Sequence, residues 1–362
     1  MGLGERGIDL DNIRLELLPA ARAAHRGAAL RAAIINRERC APMPGAGRPL
    51  SRAEFLKLAA RTSLLAALGG TRTVRAGSKP MEVSPGTTMI ARPIPASGEP
   101  LPVVGLGTWN VFNVGDDPAA RARLSEVLRL FFARGARLID TSPMYGRAEG
   151  VVGDLVAALH ARDRTFLATK VWISGREAGI EQMRRSAELL RTRTIDLIQI
   201  HNLLDWRTQL ATLRRMKEAG EIRYLGITHY TDAALPSLAG IIEREPLDFV
   251  QCAYSIDDRA AEARLLPLAA ERRVAVLANR PFGSGELFRR VRKAPLPAWA
   301  AEFDCASWAE LMLKYVISHP AVTCAIPATG DPQHMADNLA AGFGRLPDEA
   351  GRRRMVKLWE SL

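Results

Sequence analysis

From about residue 101 onward, short apolar runs rich in β-branched residues alternate with longer stretches in which apolar residues recur at three- and four-residue steps. This alternation constrains the fold more than any other feature of the chain. The apolar runs read as strands at Val103–Thr108, Arg137–Asp140, Thr165–Lys170, Asp196–His201, Tyr224–Thr228, Asp248–Ala253, Val274–Asn279 and Thr323–Pro327. Stretches between them, such as Ala119–Arg134, Ile180–Arg191, Thr208–Ala219, Ala233–Glu243, Ala260–Glu271 and Ala306–Ser318, read as amphipathic helices. Neighbouring parallel strands need a long crossover, and a helix supplies it. Eight such units in about 240 residues predict an α/β fold, a (β/α)8 TIM barrel. A doubly wound sheet is the alternative fold. Gly105-Leu106-Gly107-Thr108-Trp109-Asn110 lacks the last glycine of a dinucleotide fingerprint, and no acidic residue follows a second strand at the place a ribose requires. Residues 86–102 read as a β-hairpin closing the N-terminal end of the barrel, with Ser97-Gly98 as its turn and Pro93 and Pro95 marking edge strands.

The expected domains are a leader and flexible linker over 1–85 and the barrel over 86–362. The formal net charge of +11 would ordinarily raise nucleic acid or an anionic membrane as a partner. Residues 1–80, however, hold 14 Lys+Arg against 6 Asp+Glu, leaving 36 against 33 in the rest. The body is nearly neutral, so no nucleic-acid partner is expected, and no apolar run reaches the ~20 residues of a membrane span. Ser51-Arg52-Ala53-Glu54-Phe55-Leu56-Lys57, ahead of Leu64-Leu65-Ala66-Ala67-Leu68, resembles a bacterial twin-arginine export signal with Ala53 in place of the second arginine. Location is therefore cytoplasmic, or periplasmic if this leader works. Cys40, Cys252, Cys305 and Cys324 have neither the spacing of a disulfide framework nor that of a zinc site, so free thiols and no metal are expected.

In such a barrel, catalytic side chains belong at the C-terminal ends of the strands. Three successive strands here end in ionisable groups: Asp140, Lys170 and His201, with Tyr145 just beyond the first in Asp140-Thr141-Ser142-Pro143-Met144-Tyr145-Gly146. Any one of them alone reads better as a solvated or satisfied strand end. Together they suit acid catalysis by a phenol. A tyrosine at its ordinary pKa of about 10 is a weak acid, and a nearby ammonium favours the phenolate. Lys170 would supply that charge, Asp140 would hold it, and His201 would donate to a carbonyl oxygen. With no metal ligands and no activated Ser or Cys, this set suits hydride delivery to the adjacent carbon.

On Gly105-Leu106-Gly107-Thr108-Trp109, Leu138-Ile139-Asp140 through Gly146, Thr169-Lys170, Ile200-His201-Asn202 and Ile326-Pro327 through Asn338, the chain resembles the aldo-keto reductases over about residues 88–345. The resemblance implies a (β/α)8 barrel reducing aldehydes or ketones with a nicotinamide cofactor, NADPH usually and NADH as the alternative. It carries over the tetrad of Tyr145 as general acid, Lys170, Asp140 and His201. It also implies cofactor contacts from Gly107, Thr108 and Trp109, with Asn202 and Gln251 on the nicotinamide carboxamide. Thr228-His229 stands where the family usually has Ser-Asn, and Asn279 where an aromatic commonly stacks on the nicotinamide. Tyr254 and Phe282 are the candidates to stack instead. Arg280, Pro281, Phe282, Gly283 and Ser284 form a loop whose glycines would admit a pyrophosphate. Ile326, Ala328, Thr329, His334 and Asn338 fall in the segment that grips adenosine, with Ala328 and His334 replacing the cations usual for a 2′-phosphate. Thr329 and the donors at the helix start after Pro332 would then receive it. Trp109, Trp172 and Trp299 are the expected substrate walls, Trp299 lying in a long Glu286–Asp304 connection read as a lid. The expected partner is a small carbonyl compound. A cofactor-bound redox sensor with little turnover is the competing reading, and the sequence leaves the oligomeric state open.

Overall fold

The computed structural model describes residues 88–362. The leader-like segment, Cys40 and the boundary at residue 86 lie outside the described residues. A hairpin comes first, β1 (Ala91–Pro93) antiparallel to β2 (Pro100–Pro102), with Arg92 opposite Leu101. Its turn carries Gly98 at φ 77°, a left-handed conformation in which glycine has no Cβ to clash.

Eight parallel strands follow and pair in chain order: β3 (Leu106–Gly107), β4 (Leu138–Asp140), β5 (Phe166–Val171), β6 (Ile195–His201), β7 (Ile222–Thr228), β8 (Phe249–Ala253), β9 (Ala275–Asn279) and β10 (Val322–Ala325). The ring closes where Val104 pairs with Ala325 and Gly107 with Ala328. The amide N–H of Gly105 donates to Ala325 O at 2.8 Å and that of Gly107 to Pro327 O at 3.0 Å. A Cβ on Gly107 would lie 2.9 Å from Ile326 O, so the first and last strands meet here only because the residue is glycine.

Side chains alternate across this closed sheet. Leu138, Phe166, Leu197, Tyr224, Phe249, Leu277, Cys324 and Ile326 fill the barrel with the hairpin's Ile94 and Leu101. Phe166, Tyr224 and Phe249 pack ring against ring at 5.5–6.0 Å in the lower layer. The Tyr224 hydroxyl donates to Ser97 Oγ at 2.7 Å and Glu99 pairs with Arg137 and Arg223, so the hairpin plugs the bottom as expected. Toward the other end the inward positions turn polar: Asp140, Lys170, Gln199, His201, Thr228, Gln251 and Asn279. The barrel therefore has an apolar floor and a polar mouth.

The outward positions pack under α1 (Pro118–Ala133), α2 (Ala148–Ala158), α3 (Arg176–Leu189), α4 (Trp206–Glu218), α5 (Leu235–Arg244), α6 (Leu265–Glu271), α7 (Glu286–Val291), α8 (Trp308–Ser318), α9 (Pro332–Ala340) and α10 (Glu349–Glu360). The sequence reading lacked α2, whose periodicity is broken by Gly150 and Gly153; a Cβ on Gly153 would lie 2.0 Å from Leu189 O, the end of α3. The expected helix Ala260–Glu271 divides into a short 3-10 helix over Ala260–Ala263 and α6. The connection 286–304 is no loose lid. It holds α7 and a 3-10 helix over Ala298–Phe303, buries Leu287, Val291 and Ala300, and is pinned by Arg290 donating to Trp359 O at 2.8 Å and Trp308 Nε1 to Ala294 O at 3.0 Å. Cys252, Cys305 and Cys324 are free and buried, their thiols pushed up by burial. Among the described residues no helix is long and apolar enough to cross a membrane.

Candidate active site

The ends of β4, β5 and β6 bring Asp140, Lys170 and His201 together at the mouth. Lys170 is fully buried, and its Nζ donates to Asp140 Oδ2 and to Thr141 O, each at 2.7 Å. A buried ammonium is sustained only when paired and hydrogen-bonded in this way. The other carboxylate oxygen, Asp140 Oδ1, accepts from Gln199 Nε2 at 3.2 Å and Gln251 Nε2 at 3.0 Å. Burial works against the charge on Lys170, yet Asp140 and Tyr145 prevail and raise its pKa above the ordinary value. Lys170 therefore stays cationic.

Tyr145 follows β4 by one tight turn, its N–H donating to Ser142 O at 3.0 Å. Lys170 Nζ lies 5.2 Å from the centre of its ring, and the His201 ring stands edge-on to it at 6.1 Å. The expectation that the ammonium acidifies the phenol holds only for the sign of that one influence. Burial raises the Tyr145 pKa, Lys170 pulls it down and Asp140 raises it again, with a net rise above 10. The phenol is thus held protonated. His201 is driven down to about 3, by burial first and then by Lys170 and His229, so its ring is neutral. Its Nδ1 lies 3.1 Å from Ser142 Oγ.

Trp172 lies 6.4 Å from His201 and forms a wall of the site. With Trp109, Met144, Ile173, Leu204 and Tyr230 it makes an exposed apolar rim on the loops after β3 to β7. Trp299 does not join it. That ring packs on Phe303 at 6.3 Å and under the Arg354 guanidinium at 4.4 Å, against α10.

The residues expected to hold a cofactor divide into engaged and open ones. Thr108 Oγ1 donates to Asp140 O at 3.0 Å. Gln251 has its Nε2 on Asp140 and its Oε1 accepting from Thr228 Oγ1 at 2.8 Å, so its amide fixes the carboxylate. His229 Nδ1 accepts from Tyr230 N at 3.0 Å, and its ring stacks on Tyr230, over which Arg280 lies at 5.7 Å. Asn202 and Asn279 are open: each keeps a buried Oδ1 with no partner. Of the two proposed stacking rings, Tyr254 is fully buried and bonded to Glu262 and Arg352, which removes it; Phe282 packs on Phe288 at 4.9 Å. Arg280, Gly283, Ser284 and Gly285 all have φ between 51° and 94°, giving the loop after β9 its sharp path.

Ala328, Thr329 and His334 line a cleft of about 380 Å³ against α1, where Arg123 stands opposite, while Ile326 belongs to the barrel interior and Asn338 is buried in α9. The start of α9 does not offer its amides to a phosphate as expected, because Asp331 Oδ1 already accepts from Gln333 N at 2.8 Å and His334 N at 3.3 Å. Sequence reasoning missed Gln199 and Ser142, whose partners lie on other strands. It also missed Glu149, buried and accepting from Thr169 Oγ1 at 2.6 Å. Period-two alternation back from His201 points to Gln199; no local pattern points to the other two. Among the described residues no group of three or more His, Cys, Asp or Glu is arranged to hold a metal ion.

A model of the aldo/keto reductase family matches residues 103–353. The chain is 30% identical over 247 residues to a methylglyoxal reductase of Escherichia coli, YeaE, covering 66% of this chain and 85% of that one. It is 28% identical over 247 residues to an NADH-specific methylglyoxal reductase of the same organism, covering 59% and 73% of the two chains. Among solved structures, an aldo-keto reductase from Klebsiella pneumoniae in complex with NADPH aligns with a TM-score of 0.64 at 26% identity, over 75% of this chain and 96% of that one.

Proposed function

The chain belongs to the aldo/keto reductase family, and from that premise we propose that it reduces the carbonyl of a small aldehyde or ketone with NADPH, Tyr145 giving the proton. One observation carries this reading: a buried, paired ammonium at Lys170 beneath a phenol that burial keeps protonated, beside a neutral imidazole.

A nicotinamide cofactor, when bound, supplies the hydride to the carbonyl carbon. The open Oδ1 atoms of Asn202 and Asn279 fit its carboxamide, whose N–H groups need acceptors of this kind. Tyr145 gives its phenolic proton to the oxygen as that atom gains electrons, and the product is an alcohol. Lys170, held by Asp140, stabilises the phenolate left behind, which regains its proton from solvent. Being neutral, His201 acts as a hydrogen-bond donor to the same oxygen and not as a second acid. The apolar rim around Trp172 favours a substrate with an apolar body and keeps water from the reacting carbon.

The relatives include a protein named NADH-specific and a structure holding NADPH, and Arg123 and His334 are the basic groups lining the cleft beside Ala328. NADPH is the proposed cofactor, with NADH the alternative. Fluorescence titration with both, followed by turnover of methylglyoxal and larger aldehydes and ketones, tests the function. Micromolar binding with turnover supports it; tight binding with no turnover on any carbonyl overturns it in favour of a sensor.

A further inference from the structure

The neutral imidazole of His201 has two tautomers, and only one serves a carbonyl. With the proton on Nε2, the ring donates from that nitrogen; with the proton on Nδ1, a lone pair on Nε2 would face the carbonyl oxygen and repel it. Nothing in the tetrad itself decides between them. Lys170 and Asp140 are joined to each other and make no hydrogen bond to the ring among the described residues.

The group that touches the ring is Ser142. Its Oγ lies 3.1 Å from Nδ1, and both residues are buried, with Ser142 fully so. A hydroxyl brings one hydrogen and two lone pairs. The Met144 N–H points at the Ser142 Oγ at 3.4 Å, taking up a lone pair, and among the described residues no acceptor for the hydroxyl hydrogen other than Nδ1 is bonded. The turn between β4 and Tyr145 fixes Ser142, since its carbonyl accepts the Tyr145 N–H at 3.0 Å. The same short turn thus presents the acid and holds the ring that works beside it.

We propose that Ser142 is a positioning residue that donates its hydroxyl to Nδ1 of His201, locking the imidazole in the Nε2–H tautomer that donates to the substrate oxygen. The proposal rests on the reductase reading, in which His201 faces the carbonyl. Ser142 is fully buried and acts through the ring. Without the hydroxyl both tautomers are populated, and part of the enzyme presents a lone pair to the oxygen. Loss of the correct tautomer in an otherwise intact site is a recognised route to large losses of rate.

The test is nitrogen-15 NMR of the full chain labelled at histidine, with and without NADPH, the His201 signals assigned by their loss in His201→Asn. The expected result is a protonated Nε2 and an unprotonated Nδ1 at neutral pH. In Ser142→Ala the two nitrogens should move toward averaged values, while kcat falls at least about tenfold and NADPH affinity stays within about twofold. A protonated Nδ1 in the unaltered protein overturns the proposal, as does a Ser142→Ala variant with unchanged ring signals, whatever its rate. Should Ser142→Ala fail to fold, the unaltered protein's ring still decides. Failure here leaves the reductase reading standing, because that reading is tested by turnover and by Tyr145.

Discussion

A single ion pair organises the site. Lys170 and Asp140 are both buried, and a pair in that position survives only with further hydrogen bonds, which Thr141 O supplies to the ammonium and Gln199 and Gln251 supply to the carboxylate. The consequence reaches the pH profile. Tyr145 holds its proton to above its ordinary value of 10, and His201 gains one only near pH 3. The rate of carbonyl reduction at saturating cofactor should therefore stay level from about pH 5 to 9, then decline on the alkaline side as the phenol ionises. An acidic limb centred near pH 6.5 would mean that His201 titrates in the working range, contrary to this account. Asp140, Lys170 and His201 were legible because each breaks an apolar strand pattern at its C-terminal end, and Tyr145 because it stands just beyond the first of them. Ser142 and the role of Gln251 were not, because each depends on a partner that only barrel closure brings near. The direction of the Tyr145 shift was illegible for a related reason: burial, which outweighs the ammonium, is a property of the packed mouth and not of the spacing.

At the scale of elements, the strands were readable and the connections less so. All eight barrel strands fall within the expected runs, give or take a few residues, because a parallel strand buried on both faces leaves a short continuous apolar run. The α2 helix was hidden by Gly150 and Gly153, the second of which lets the end of α3 approach closely. The segment 286–304 looked like a lid by length alone, yet Trp308, Arg290 and Trp359 tie it down, and Trp299 goes with it into the α10 contact. The segment from Ile326 to α9 bears on cofactor choice. Ala328 faces the cleft shared with Arg123 and His334, while the Asp331 carboxylate occupies the start of α9. Placing a cation there should favour a 2′-phosphate dianion. Ala328→Lys is expected to raise the ratio of NADPH to NADH affinity at least about tenfold, measured by fluorescence titration. An unchanged ratio would show that this cleft is not where the 2′-phosphate lies.

Over the described residues, one closed barrel with an apolar floor, a hairpin plug and a polar mouth accounts for where the chemistry sits. Stability should carry the mark of two histidines that desolvation holds neutral. His201 is held down to about 3, and His319 to about 4 by burial first and then by Arg352. Both folded values lie below the ordinary 6.5, so the unfolded chain binds protons that the folded one refuses. Their contribution is present in full above about pH 6.5 and is lost progressively as the pH falls from there to the folded values of about 4 and about 3. The melting temperature should accordingly drop on acidification from pH 7 to pH 4, and less steeply in a His319→Gln variant. The fold class was legible from the alternation alone, and closure of the ring through Gly105 and Gly107 was not, since the glycines there resemble a nucleotide fingerprint while serving a strand contact. The central claim is that Tyr145 is the acid of a carbonyl reductase, and Tyr145→Phe tests it most directly, because the change removes the proton and almost no volume. The account predicts that this variant binds NADPH as the unaltered protein does and reduces methylglyoxal at least about a hundredfold more slowly. Turnover at the unaltered rate, with binding intact, would contradict it.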